Sequence, residues 1–257
     1  MKKNLFKTYA FAAVVALMGM SLTSCGGGSG SSSDSDVSDI PTDGILGDLP
    51  MLTAKYCDQV VDRREKMFSG QLSEDEQKKA KAEFDQLREE QKAKMLLGRN
   101  ALDGKEIPVE VQDGVPMKVE GTLKIDGNTQ GSLNAIGTGE YTEGMSMKNY
   151  TNYVIVPIDK DGKAIETKSR GGLFGTLDSV GALDGKPGEK VKITAFVSGV
   201  GVDGANSKKA NDMKRWAKLA KYVIMDKTTD AYKQLDEQLK AEKKQEELDA
   251  AKKVAGE

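Results

Sequence analysis

The chain contains no histidine. That removes Ser-His-Asp and Cys-His catalysis, histidine zinc sites, and the side chain best suited to proton transfer near neutral pH. The serine chemistry that works without histidine is missing too, because no S-x-x-K or G-x-S-x-G stretch occurs. A single tryptophan and 5% aromatic residues argue against a sugar cleft built on ring stacking. The apolar run Ala10–Met20 is 11 residues, short of the roughly 20 that a spanning helix needs. What remains for catalysis is paired carboxylates or carboxylate-bound metals, and the plentiful Asp and Glu fall in no pattern with a named chemistry.

The N-terminus has the order of a secretory signal: Lys2, Lys3 and Lys7, then the apolar run, then Leu22-Thr23-Ser24-Cys25. This last stretch resembles the lipobox of bacterial lipoproteins, in which an aliphatic residue and two small residues precede a cysteine that takes a diacylglycerol. The resemblance covers the first 25 residues. It implies a signal peptide over 1–24, a lipid on Cys25, and a membrane as a partner through that lipid.

Gly26 is not the aspartate of an inner-membrane retention signal, so the outer membrane is the expected location, on its periplasmic face or at the cell surface. The Ser31–Asp36 run is similar to the acidic tether of surface lipoproteins of the Bacteroidota, although it lies several residues further from the cysteine.

Removing the leader takes away three lysines and no acid, leaving 35 basic against 40 acidic residues, a net charge near −5. Such a surface makes no case for nucleic-acid binding. With Cys25 acylated, Cys57 is the one cysteine left and has no intramolecular partner. It falls on the apolar side of a predicted helix, which points to a buried, inert thiol.

Residues 25–50 read as a flexible Gly/Ser/Asp tether. A helical hairpin is expected over 51–101: one helix from about Met51 to Phe68, a second opened by the capping box Ser73-Glu74-Asp75-Glu76. The second carries Ala80, Phe84, Leu87 and Met95 at helical spacing. The texture changes at Leu102-Asp103-Gly104.

Over 102–204, predicted strands are Ile107–Val111, Met117–Ile125, Ser132–Ile136, Tyr150–Ile158, Ala164–Lys168 and Lys190–Ser198, with a weaker one at Leu173–Leu177. Turns are expected at Asp126-Gly127-Asn128 and Asp159–Gly162. Helices follow over 205–257, ending in a charged tail. The predicted class is α+β: an antiparallel β-sandwich or barrel, in texture similar to an immunoglobulin-like domain, flanked by helices at both ends. The β-domain is expected to be inserted into a small helical unit, with the C-terminal helix partnering the hairpin.

Three motifs invite chemistry. Gly199-Val200-Gly201-Val202-Asp203-Gly204 matches G-x-G-x-x-G, but too little chain follows for a dinucleotide-binding sheet, so a glycine-rich connector is expected and no cofactor. Asp159-Lys160-Asp161-Gly162 opens like a calcium loop without the later ligands, and reads as a turn. Asp178-Ser179-Val180 resembles a short O-glycosylation acceptor.

The basic stretch Lys208, Lys209, Lys214, Arg215, Trp216 and Lys218, continued by Lys221 and Lys227, is a candidate contact for anionic headgroups or an acidic glycan. Asp212 and Asp226 interrupt it, which favours an amphipathic helix packed on the core with a solvated basic face.

The function expected is therefore a non-enzymatic, lipid-anchored envelope protein that binds or assembles with a protein partner. The alternatives are a carboxylate-based hydrolase of envelope or host glycans and a carrier with an apolar cavity for a lipid or small ligand.

Overall fold

A computed structural model describes residues 44–68, 72–127, 133–144, 152–167, 185–197 and 199–255. The signal segment, Cys25, the tether up to residue 43, the weak strand Leu173–Leu177 and the Asp178-Ser179-Val180 motif lie outside them. In chain order the elements are α1 (Leu49–Phe68), α2 (Glu74–Leu102), β1 (Glu106–Val111), β2 (Met117–Asp126) and β3 (Leu133–Tyr141). There follow β4 (Tyr153–Asp159), β5 (Lys190–Val197), α3 (Ser207–Trp216), β6 (Leu219–Asp226) and α4 (Asp230–Ala255). The protein is α+β, with helices at both ends of the strand region. No helix among the described residues is long and apolar enough to cross a membrane.

The strands form one six-stranded sheet in the order β4-β6-β1-β2-β3-β5, curled into a half-barrel. It stands where an antiparallel sandwich or barrel is expected from the sequence, and it is mixed, because β1 and β6 run parallel. The curl starts in β1, which changes partner halfway. Glu106, Ile107 and Pro108 pair antiparallel with β2, whereas Val109, Glu110 and Val111 pair with β6. Pro108 has no N–H to give to a ladder, and the exchange falls next to it. On the facing strand a bulge between Glu120 and Lys124, with Gly121 at φ 75°, bends β2 in the same region.

The expected segment Ala164–Lys168 contributes no strand within its described part. Ala164 makes an isolated bridge to Ile158. In the opposite sense, β6 was read as a continuation of the helix carrying Met213 and Trp216. Its burial on both faces explains the error. Tyr222 and Ile224 enter the main core, while Val223 and Met225 enter a second one. A strand covered on both sides loses its polar alternation and reads as an unbroken apolar run.

Helices and strands share one core, so the helices cover the sheet rather than forming a unit of their own. Leu49, Ala54, Tyr56, Cys57 and Val60 of α1 pack with Ile107, Leu123, Ile125, Leu133, Ile193 and Ile224 of the sheet, and with Met213 and Trp216 of α3. On the other side, α4 lays Tyr232 and Leu235 on Val154, Val156 and Met225.

Along β1, β2, β3 and β5 several exposed positions carry charges that pair across the sheet. Lys118 pairs with Glu140 (2.8 Å), Lys190 with Glu120 (3.0 Å) and Lys124 with Glu106 (3.5 Å). At the two facing pairs, Lys118–Glu140 and Lys124–Glu106, opposed charges hold strand register, while Lys190 of β5 reaches across β3 to Glu120 of β2.

Candidate functional site

The glycine-rich stretch leaves β5 and enters α3. Gly199, Gly201 and Gly204 take φ values of 82°, 140° and 65°, a region that side chains other than glycine rarely adopt. The loop folds around a lysine. Lys209 Nζ donates to the carbonyls of Gly201 (2.8 Å) and Asp203 (2.5 Å). A phosphate cradle needs backbone N–H groups turned inward; here carbonyls turn inward, onto the chain's own cation. The loop is then clamped to the helical hairpin. Arg88 donates to Asp203 (2.6 Å), and Arg64 donates to the carbonyl of Ala205 (3.2 Å). The Asn206 side chain caps α3 by accepting from the Lys209 N–H (2.8 Å).

The basic residues singled out in the sequence separate around α3. Lys208 and Lys209 line a cavity of about 320 Å³ at its N-terminal end, with Asp203, Asp212, Trp216 and Lys243. Lys214, Arg215 and Lys218 line a second cavity, of about 420 Å³, at its other end. Trp216 is 2% exposed and belongs to the core. Arg215 is held by Asp212 and Glu246, and Lys214 lies 3.7 Å from Asp58. Lys218 stands beyond the helix end, and Lys221 sits on β6, paired with Glu110 at 2.7 Å. Cys25 is outside the described residues.

The residues that sequence reasoning missed are the partners from α4. Glu242, Lys243 and Glu246 reach Lys163, Asp212 and Arg215. Their spacing of one, three and four residues places them on one helix face, and that spacing was the available signal.

Asp159 makes the expected turn. Its Oδ1 accepts from the N–H groups of Asp161 and Lys163 (both 2.9 Å), and Gly162 has φ 81°. Among the described residues no cluster of three or more Cys, Asp or Glu is placed to hold a metal ion.

Cys57 is fully buried. Burial pushes its thiol above the ordinary value of 9.0, against a hydrogen bond from the Asn206 backbone and the nearby Lys209 ammonium. Burial likewise pushes the Tyr222 phenol far above 10.0, and the Tyr56 phenol above the same value. Lys209 moves the other way, since burial disfavours its ammonium.

For the thiol and the phenols the folded chain keeps a proton that the unfolded chain releases. Their stabilising contribution is whole below the unfolded values of 9.0 and 10.0 and is lost as pH rises beyond them. Lys209 has the opposite sign and gains stability toward its ordinary 10.5. Tyr153 and Tyr232 are raised by burial as well, so the groups of this sign outnumber Lys209 and the urea midpoint should fall between about pH 9 and pH 11, each group contributing up to about 1.4 kcal/mol per pH unit. Tyr222→Phe should flatten that fall; an equally steep decline would show that Tyr222 ionises freely in the fold.

No protein-family model, no curated protein and no solved structure matches the chain.

Proposed function

We propose that this chain is a lipid-anchored envelope protein, tethered through Cys25 to the outer membrane, that binds a protein partner rather than catalysing a reaction. The observation that supports a binding role is the closed end of the α1–α2 hairpin. The buried residues of α1 stop at Val60, and those of α2 begin at Gln91. Phe84 and Leu87 still touch the core, but beyond them the hairpin continues for residues 65–68 and 74–83, which at 1.5 Å per residue makes roughly 15 Å of α2. Phe68 lies at the end of α1 and is 83% exposed. A large aromatic side chain held out on a rigid helical arm is the kind of anchor that partner pockets take up.

The lipid and the tether belong to the same reading. A lipid on Cys25, joined to the half-barrel through the Gly/Ser/Asp-rich sequence that follows it, would keep the protein at the membrane where envelope partners are found.

The test is retention of envelope proteins by purified wild-type protein, Phe68→Asp and Leu96→Asp, the last serving as a control for exposed apolar residues. A specific protein should be held by wild type and by Leu96→Asp, and held at least tenfold less by Phe68→Asp, with all three sharing one urea midpoint. Equal retention by the three would contradict the arm as the binding element.

A further inference from the structure

Helix α4 changes character halfway along. Its first ten residues are anchored by apolar side chains: Tyr232 and Leu235 pack on the sheet, and Leu239 is buried. From 240 to 252 no residue is buried, and the only half-buried ones are Glu242, Lys243 and Glu246. These continue the stripe of Leu235 and Leu239 at helical spacing, with charge in place of apolar surface.

Each makes an ion pair: Glu242 with Lys163 (2.5 Å), Lys243 with Asp212 (3.3 Å), and Glu246 with Arg215. Beside these contacts the packing is open. Cavities of about 300 and 420 Å³ lie against the distal half of the helix, and Arg215 and Lys218 line both. The distal half is therefore held by charge alone, through side chains that are mostly a third or more exposed and hence open to salt screening.

We infer that the distal half of α4 is a self-supplied cover over a groove whose cations are Lys163, Lys214, Arg215 and Lys218, and that the groove accepts a helical segment of a partner protein presenting carboxylates four residues apart. The occupant is argued from charge and shape. The present one is a helix that offers carboxylates four residues apart, Glu242 and Glu246, to Lys163 and Arg215. A competing ligand must offer the same. A lipid surface fits less well, because Trp216, the nearest large apolar side chain on α3, is turned into the core. The inference rests on the binding role proposed above but uses a different surface from Phe68, so either can fail without the other.

The experiment uses the full chain and a synthetic peptide spanning residues 238–252, with a second peptide in which its glutamates are glutamines. Hydrogen exchange over 240–252 should quicken at least tenfold on going from low to high salt, and already at low salt in Glu242→Gln/Glu246→Gln, while 230–239 stay protected. The double variant should bind the unsubstituted peptide at least tenfold more tightly than wild type does. It should not bind the glutamine peptide, and adding Arg215→Ala should remove the binding. Unchanged exchange of 240–252 in salt and in the double variant would overturn the cover. Fast exchange without peptide binding, or equal binding of both peptides, would overturn the groove's recognition of helix-borne carboxylates.

Discussion

Replacing Trp216 with alanine should cost about 3–5 kcal/mol of folding stability, while attachment to anionic vesicles stays as it was. Trp216 closes α3 and is 2% exposed, in the same cluster as Met213, Leu219 and the α1 residues Cys57 and Val60. Removing the indole takes away its contacts with both helices and leaves a void that a packed core refills only in part. A tryptophan acting as a membrane anchor would behave in the reverse way. Urea unfolding and vesicle flotation on the same preparation separate the two: a large drop in midpoint with unchanged flotation is expected. A normal midpoint with lost flotation would place the ring at a lipid surface.

Gly127→Ala should destabilise by about 3 kcal/mol, near the upper end of what overpacking costs. Gly127 ends β2 against the last turn of α2, where its N–H donates to Asp103 Oδ1 (2.9 Å). A Cβ there would stand 2.2 Å from the Arg99 carbonyl oxygen and 3.1 Å from the Asp103 nitrogen. Both obstacles are backbone, so no rotamer change relieves them. The helix must move off the strand, or the turn must open. Thermal unfolding compares this variant with Gly162→Ala, a turn position with open space around it where only the positive φ opposes a side chain. The larger loss should fall at Gly127; equal losses would mean that the α2–β2 junction yields easily.

Much of the secondary structure is legible locally. The capping box at Ser73–Glu76 forms as read, with the Ser73 N–H donating to Glu76 at 2.8 Å. The stripe of Phe84, Leu87 and Met95 faces the core. Five predicted strands match β1 to β5, because each carries β-branched residues between turn signals.

The failures are nonlocal. Nothing near Leu219 tells the chain to stop a helix at Trp216 and extend. That choice comes from β1, more than 100 positions earlier, whose free side takes β6 in parallel. The same pairing turns an expected antiparallel assembly into a mixed sheet. It also removes Lys218 and Lys221 from the helix on which they were placed.

The candidate site was legible in its residues and not in its pairing. Lys209, Lys214 and Arg215 sit on α3 as expected, but charge spacing says nothing about which carboxylates will meet them. The charged run of α4 reads as solvent-facing until its partner helix is known. The glycine loop shows the same limit. Three glycines announce unusual backbone, and only the fold reveals that Lys209 fills the space they enclose.

The anchor is the claim on which the proposed role depends, and it has a direct test. The protein is isolated from membranes of cells expressing the whole chain, and the mass of its N-terminal peptide is measured. A peptide beginning at Cys25 and carrying a diacylglyceryl group, absent from a Cys25→Ala variant that is recovered in the soluble fraction, is the expected result. A mature chain that begins elsewhere, or an unmodified Cys25 on protein still bound to membranes, would contradict it.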